Sequence, residues 1–384
     1  MEIVIEIIVC IAIFLGLIYT IMIAMFCIGW ILSVPHFDGP DDDVFVSIII
    51  PVRDEEDNMD MLLEDLMIQG YSKSMYEIII VDDGSTDETV DVINEFNGSE
   101  KNIKLIVNNG SGKKDAITTA MKIAKGELII TIDADCSMEE RWLQDIVYFY
   151  RYTNAKMIVS PVYINSLGSI FNQIQSIEFM SLMVSGGGAL YFGNAIMCNG
   201  ANLAYTKEVF DEVNGFEGID GTATGDDVLL MYKIKEKYPD GIKFLKSTIA
   251  TVITDPKPTL KEFFSQRKRW ASKPFGLLNT ETKFVSLTVY FFSLFLLLLA
   301  VVGCLYPDAI LFNLSVIKIC ILLFAAKCGI DFLLLLLATV FFRERKLLFY
   351  FFPLQFIYLF YVVFVGFMGL SRKYEWKGRI INEK

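Results

Sequence analysis

Residues 3–32 run almost continuously apolar, interrupted by Glu6 near the start. A helical crossing of a bilayer takes about 20 such residues, so this chain opens on a segment long enough to span. No basic leader and no small-residue cleavage site accompany the run, which predicts a retained anchor over residues 1–34. Apolar sequence returns after Phe284 and lasts to about Leu370. Residues 38–255 lie between and are long enough for one well-packed globular domain. Mean hydropathy of +0.47 with 21% charged residues suits such a domain joined to membrane helices, and neither part alone.

A net charge of −12 and a pI near 4.8 argue against nucleic acid as a partner. Local exceptions are Gln266-Arg-Lys-Arg-Trp270 through Lys273, Arg343-Glu-Arg345-Lys346, and a basic tail over 371–384. Five of the seven cysteines lie in the apolar ends, where cysteine behaves as a small hydrophobe. Cys136 and Cys198 show neither metal-ligand spacing nor a disulfide framework. The single histidine, His36, cannot build a catalytic or zinc constellation and reads as an interfacial residue.

The central residues alternate strand and helix patterns, which predicts an α/β fold with a mainly parallel sheet. Strands are expected at Val44–Ile50, Tyr76–Val81, Ile103–Val107, Leu128–Ile132 and Met157–Pro161. Helices are expected at Glu55–Gln69, Glu88–Phe96, Lys114–Ala124 and Glu139–Tyr150. Ligands of open α/β sheets bind at the carboxyl ends of strands. Three polar clusters fall there, namely Arg53–Asp57, Asp82–Asp87 and Asp133–Asp135.

Strand alternation would place Asp133 and Asp135 on one side as their strand ends. Two carboxylates held so close repel, and a divalent cation shared with a ligand offsets that cost. The pair is therefore a candidate for Mg²⁺ or Mn²⁺ on a diphosphate, against the alternative of an ordinary acidic turn. Asp82 and Asp83 precede a glycine turn and suit hydrogen bonding to a nucleoside, while Ser85 and Asp87 suit capping of the next helix. Gly110-Ser-Gly112-Lys113-Lys114 opens a helix without P-loop spacing; a lysine there suits an anion, or is simply solvated.

Ser166–Asn199 is apolar and contains Gly186-Gly-Gly188, which suggests helix and loop near the membrane. Residues 256–283 mix Phe263, Phe264 and Trp270 with lysines and arginines, the composition of interfacial amphipathic helices. Residues 284–370 form a membrane region of three or four segments, because Ala309–Phe342 reads either as one long span or as two short ones broken at Lys327–Asp331. Basic residues at 267–273, 343–346 and 372–379 should all prefer the cytoplasmic side. Three simple spans cannot satisfy all three groups, so one segment is re-entrant or the middle stretch crosses twice.

The ordered series Ile48-Ile-Ile-Pro51-Val-Arg53-Asp-Glu55-Glu56, Val81-Asp82-Asp83-Gly-Ser-Thr-Asp87, Asp133-Ala-Asp135, Gly225-Asp226-Asp227 and Gln266-x-x-Arg269-Trp270 resembles the family 2 glycosyltransferases. It looks most like their membrane-integrated branch, which includes cellulose, chitin and hyaluronan synthases and ceramide glucosyltransferases. The resemblance implies a GT-A, Rossmann-like domain flanked by transmembrane helices. It implies that Pro51, Arg53, Glu55, Asp82, Asp83 and Lys113 bind the nucleotide of a sugar donor, and that Asp133 and Asp135 meet its diphosphate through Mg²⁺ or Mn²⁺. The family's acidic pair is usually Glu-Asp; here Gly225 replaces the glutamate, so Asp226 aligns with the general base and Asp227 stands beside it. Asp226 is favoured. Gln266, Arg269 and Trp270 match the motif whose arginine neutralises the leaving diphosphate and whose tryptophan stacks near the acceptor.

These residue types also suit inverting sugar transfer on chemical grounds, with a carboxylate base opposite a metal-bound leaving group. The expected donor is a UDP-sugar and the expected acceptor a membrane lipid or saccharide, lipid slightly favoured. The expected location is the bacterial inner membrane, with the catalytic domain cytoplasmic. Alternatives are a processive polysaccharide synthase, a polyprenyl-phosphate sugar transferase that needs no strong base, and a non-catalytic nucleotide-binding membrane protein.

Overall fold

The computed structural model describes residues 2–33, 44–97, 102–220, 222, 224–370, 373–376 and 379–382. His36 and the join from 34 to 43 lie outside the described residues. The chain divides into two compact units, one of Met1–Ile31, Met180–Ala189 and Pro258–Asn382, the other of Leu32–Phe179 and Leu190–Lys257.

The first helix, α1, is Glu2–Leu32 and belongs to the first unit. In the second unit the chain alternates as its hydrophobic pattern predicts: β1 Val46–Val52, α2 Glu56–Met67, β2 Tyr76–Asp82, α3 Thr89–Asn97, β3 Ile103–Val107, α4 Lys113–Met121 and β4 Leu128–Thr131. Then follow β5 Cys136–Ser137, α5 Trp142–Thr153, β6 Met157–Val159, β7 Val162–Ile164 and α6 Ile170–Tyr191. The unit closes with β8 Leu203–Thr206, α7 Lys207–Glu212, α8 Val228–Lys237, β9 Ile242–Phe244 and β10 Val252–Thr254.

Seven strands form one sheet in the order β3-β2-β1-β4-β8-β6-β9. β3, β2, β1 and β4 are parallel, as expected for strands that are apolar on both faces; Ile48, Ile49 and Ile50 are fully buried. Each such side chain contributes on the order of 1.5–3 kcal/mol by leaving water. β8 runs antiparallel between β4 and β6, so the sheet is mixed there. β6 therefore pairs with β8, although its sequence reads like a further parallel strand.

Pro51 sits inside β1, where a proline ordinarily removes a ladder bond. Pairing between β1 and β4 stops at Ile49 with Thr131, while β1 and β2 stay paired to Val52 with Asp82. The chain after β4 thus peels away beside Pro51, and Asp133 and Asp135 fall in a turn beyond the strand. The expectation that strand alternation aligns them is corrected: β4 ends at Thr131, and the turn places them. A small second sheet, β5-β10-β7, brings the end of β10 next to Cys136, immediately after Asp135.

The first unit contains α1, Met180–Ala189 of α6, and four later helices: α9 Leu260–Ala271, α10 Thr280–Leu305, α11 Val316–Phe341 and α12 Phe351–Gly369. A two-strand hairpin, β11 Ile310–Leu311 with β12 Leu314–Ser315, joins α10 to α11; β13 Lys373–Trp376 pairs with β14 Arg379–Asn382 after α12. Among the described residues, α1, α10, α11 and residues Arg345–Gly369 are long and apolar enough to cross a membrane. The stretch Ser166–Asn199, expected to be helix and loop, holds α6, and Gly186-Gly-Gly188 is helical within it. A side chain at Gly188 would begin 2.0 Å from the Phe26 carbonyl oxygen, so glycine is what lets α6 lie against α1.

α11 is one continuous helix through Lys327–Asp331, the stretch read as a possible break. The Lys327 ammonium donates to Asp331 at 2.5 Å and to Gln355 of α12 at 2.8 Å, and Tyr19 of α1 donates to Asp331 at 2.7 Å. Partners on three helices thus satisfy charges that would otherwise interrupt an apolar segment. α12 starts with Phe351 against Phe332 of α11 and ends with Gly369 against Ala271 of α9; Tyr361 on the way meets Phe263.

Candidate active site

Loops at the carboxyl ends of β1 and β2 interlock. Asp54 adopts a left-handed conformation, φ 50°, held where its carboxylate accepts from the Thr86 backbone at 2.8 Å and its amide donates to Ser85 at 3.0 Å. Asp87 accepts from the Thr89 amide and hydroxyl and from the Glu56 amide, so its capping role is real. Asp82 is buried and accepts from the Ser85 amide at 3.0 Å, which shapes the Asp-Asp-Gly turn. Asp83 accepts from the Asn108 side chain at 2.7 Å and the Gly112 amide at 2.9 Å. It thereby ties the turn after β2 to the loop that opens α4. Pro51, Arg53 and Glu55 lie along the same edge, with the Arg53 Nε 3.5 Å from the Asp54 carboxylate.

Lys113 is the first residue of α4, and its ammonium meets acids from two distant segments. It lies 2.6 Å from Asp133 Oδ1, beyond β4, and 3.3 Å from Asp226 Oδ2, ahead of α8. Although burial alone would lower the Lys113 pKa, the two carboxylates raise it, so the ammonium stays charged. Burial likewise pushes Asp226 towards the neutral form, but Lys113, and behind it Lys114, hold its pKa below the ordinary value. Asp226 is thus a carboxylate at neutral pH.

Its neighbour is committed elsewhere. Asp227 is the N-cap of α8, accepting from the Val228 amide at 2.6 Å, and its other oxygen accepts from the Gly200 amide at 3.2 Å. Gly200 also explains how the groups fit together. A Cβ there would lie 3.0 Å from the Lys113 ammonium and 3.2 Å from Asp226 Oδ2, so any side chain would make the pair give way by a few tenths of an ångström. Asn202, two residues on, is anchored in the core by the Pro161 and Ala250 carbonyls and by the Trp142 indole.

Asp135 faces a different balance. Burial and the nearby Asp133 charge raise its pKa, Lys257 opposes the shift, and Glu55 adds to it. The Lys257 ammonium is 3.8 Å away, and Gln175 positions its backbone by donating to the Lys257 carbonyl and accepting from its amide. Asp133 and Asp135 therefore form a crowded pair of hard oxygen donors, the set that suits Mg²⁺ or Mn²⁺. Among the described residues no cluster of three or more metal-binding side chains exists, so a cation here would take its remaining ligands from a bound anion and water.

Gln266, Arg269 and Trp270 lie on α9, in the other unit. Thr259 caps that helix, accepting from the Glu262 amide. The intervening Arg267 is the buried one: its guanidinium stacks 4.3 Å from the Phe263 ring and 4.4 Å from the Trp270 ring and donates to Gln266. Sequence reasoning had no role for Arg267, and equally none for Lys257, Gln175 or Gly200. Only the spatial arrangement distinguishes these from ordinary lysine, glutamine and glycine.

Residues 47–213 match glycosyl transferase family 2. That segment is a family 2 glycosyl transferase domain. It includes Lys113, Asp133 and Asp135 and ends before Asp226. The chain is 29% identical to the probable glycosyltransferase YdaM of Bacillus subtilis over 236 residues, 59% of this chain and 54% of that protein. It is 31% identical over 168 residues to a protein of Methanococcus voltae named dolichyl N-acetyl-alpha-D-glucosaminyl phosphate 3-beta-D-2,3-diacetamido-2,3-dideoxy-beta-D-glucuronosyltransferase, 43% of this chain and 49% of that one. Overall the chain spans about half the length, or less, of the first relatives it matches. A mannosyltransferase from Pyrobaculum calidifontis, solved with GDP-Man and Mn²⁺, shares the fold, with a TM-score of 0.57 and 16% identity over 90% of this chain and 99% of that one. The family 2 domain thus stands on a GT-A sheet, in a chain that also carries helices long and apolar enough to cross a membrane.

Proposed function

We propose that the chain is an inverting glycosyltransferase that moves a sugar from a UDP-sugar to a hydroxyl on a membrane-associated acceptor, lipid-linked in preference to a growing polysaccharide. The reading rests on one observation above the rest: the Lys113 ammonium lies between Asp133 and Asp226, so one charge links the acid after β4 to the acid before α8. Asp226 takes the acceptor proton as the acceptor oxygen bonds to the anomeric carbon. The bond from that carbon to the diphosphate breaks on the opposite face, so an α-linked donor yields a β product. Asp227, engaged as a helix cap, holds the turn.

Arg53, Glu55, Asp82 and Asp83 contact the nucleotide along the edge where β1 and β2 end, with Pro51 shaping that edge. Asp133 and Asp135 would hold Mg²⁺ or Mn²⁺, which supplies Lewis-acid stabilisation to the leaving diphosphate. The roles of Gln266, Arg269 and Trp270 stay those that the family resemblance implies. The name of the Methanococcus relative, a β transfer to a dolichyl-linked sugar, supports a lipid-linked acceptor here. The location we propose is a bacterial inner membrane, with the family 2 domain in the cytoplasm.

The test incubates the detergent-solubilised protein with a panel of nucleotide sugars, Mn²⁺ and a membrane lipid extract, and identifies products by mass spectrometry. One added sugar on a lipid is expected. A ladder of sugars would assign a polysaccharide synthase, and absence of both transfer and donor hydrolysis would leave a nucleotide-binding protein without catalysis.

A further inference from the structure

Lys114 follows Lys113 in the first turn of α4 but points elsewhere, and it is buried. Its ammonium donates to the Ile219 carbonyl at 2.5 Å, the Thr222 carbonyl and hydroxyl both at 2.7 Å, and the Thr224 carbonyl at 3.2 Å. The Thr222 hydroxyl in turn bonds to the Ile219 carbonyl at 2.9 Å. These oxygens belong to Ile219, Thr222 and Thr224, which precede Gly225 and Asp226 in the chain. A buried ammonium costs several kcal/mol in lost hydration unless its donors are satisfied. The oxygens supply that satisfaction only when the segment is wound round the charge. The folded path into Asp226 and the burial of Lys114 are therefore mutually dependent.

From this we infer that Lys114 is a positioning residue: a tethered cation that gathers Ile219, Thr222 and Thr224 round one charge and so helps present Asp226 to Lys113. It touches no substrate. Two adjacent lysines divide the work, Lys113 holding the carboxylate's charge and Lys114 the backbone that carries it. This inference rests on the reading of Asp226 as the base for its effect on turnover, but not for its effect on the loop.

The experiment compares wild-type protein, Lys114→Met, which keeps most of the stem and removes the charge, and Lys114→Ala, which opens a cavity. Hydrogen exchange over residues 217–226 is followed in each without substrate. The expected result is a loss of protection of tenfold or more in that segment for both variants, with the strands of the main sheet unchanged. In the sugar-transfer assay, kcat should fall ten- to hundredfold while the donor KM stays within about threefold. Ethylammonium should restore part of the lost kcat in Lys114→Ala with saturation, while tetramethylammonium at equal ionic strength and propanol should not. Unchanged protection in both variants overturns the inference, as does rescue by tetramethylammonium equal to that by ethylammonium. If the wild-type protein transfers no sugar from any donor, the proposed function fails, and the exchange data still decide the role of Lys114.

Discussion

Each of the two units holds a lysine–aspartate pair, and the two pairs are built differently. Lys113 is a fifth exposed and shared between Asp133 and Asp226, whose side chains are 40% and 15% exposed and which come from separate loops. Lys327 is fully enclosed, pairs with Asp331 one turn along its own helix, and is closed over by Gln355 and Tyr19. The first has more negative charge than it needs and keeps an approach from solvent. The second is sealed, with Asp331 on its own helix and Gln355 and Tyr19 on neighbouring ones. Ionised groups left accessible and poised between competing partners are arranged for chemistry. Ionised groups closed on every side are arranged to hold helices together, because breaking such a pair strands a charge.

The sharpest way to break this comparison is at Asp226. Asp226→Asn should lower kcat by about 10²–10⁴, the range of general-base catalysis, while donor binding measured by calorimetry persists. Retained turnover would remove the base from the mechanism and point to an acceptor that arrives ionised, such as a polyprenyl phosphate. At the other pair, Lys327→Met should cost about 3–5 kcal/mol of stability, as expected when one partner of a buried ion pair is removed. Thermal unfolding in detergent reads this, and the double variant Lys327→Met with Asp331→Leu should recover much of the loss. A Lys327→Met protein that melts normally but transfers no sugar would erase the distinction between the pairs.

A smaller effect is expected at Asp135. Asp135→Ala should weaken Mn²⁺-dependent donor binding about tenfold or more, with metal-independent binding of the free nucleoside unchanged, as titration with and without chelator would show. The smallest effect concerns pH. Burial pushes Asp226 up, but Lys113 outweighs it, so this carboxylate stays ionised below the usual carboxylate range; if it is the base as proposed, activity should persist as pH falls towards that range. Lys113→Met removes the attraction, so the Asp226 pKa should rise and the acid limb of kcat/KM should move to higher pH. A limb that stays in place would show that another group governs it.

How much of this could be read from the sequence depended on whether the signal was local. β1 to β4 were legible because each is a continuous apolar run ended by a turn, and their parallel order follows from the helices between them. β8 was not, since Leu203–Thr206 is only four residues long and gains its place by pairing with β4 and β6. That Asp227 caps α8 was hidden for a similar reason, because a carboxylate used as a cap looks like any other until its amide partners are seen. Lys327 and Asp331 left one long span and two short ones both open, because their partners, Tyr19 and Gln355, lie on helices distant in sequence. Lys114 read as half of a solvated dipeptide, and nothing local reveals that four oxygens of a later segment enclose its ammonium.

The contact of Gly369 with Ala271 has a consequence for the lipid around this chain. α10 and α11 run antiparallel, with Gly303 beside Ile317 near the hairpin that joins them. The end of α11 therefore lies towards the start of α10. α12 starts with Phe351 against Phe332 of α11 and ends with Gly369 against Ala271, just ahead of α10. A re-entrant α12, one of the two arrangements expected from the sequence, would put the basic residues at 267–273, 343–346 and 372–379 on one side of the bilayer. Cysteines introduced at Lys273, Lys346 and Lys373 should all react with an impermeant maleimide from the same side of sealed vesicles.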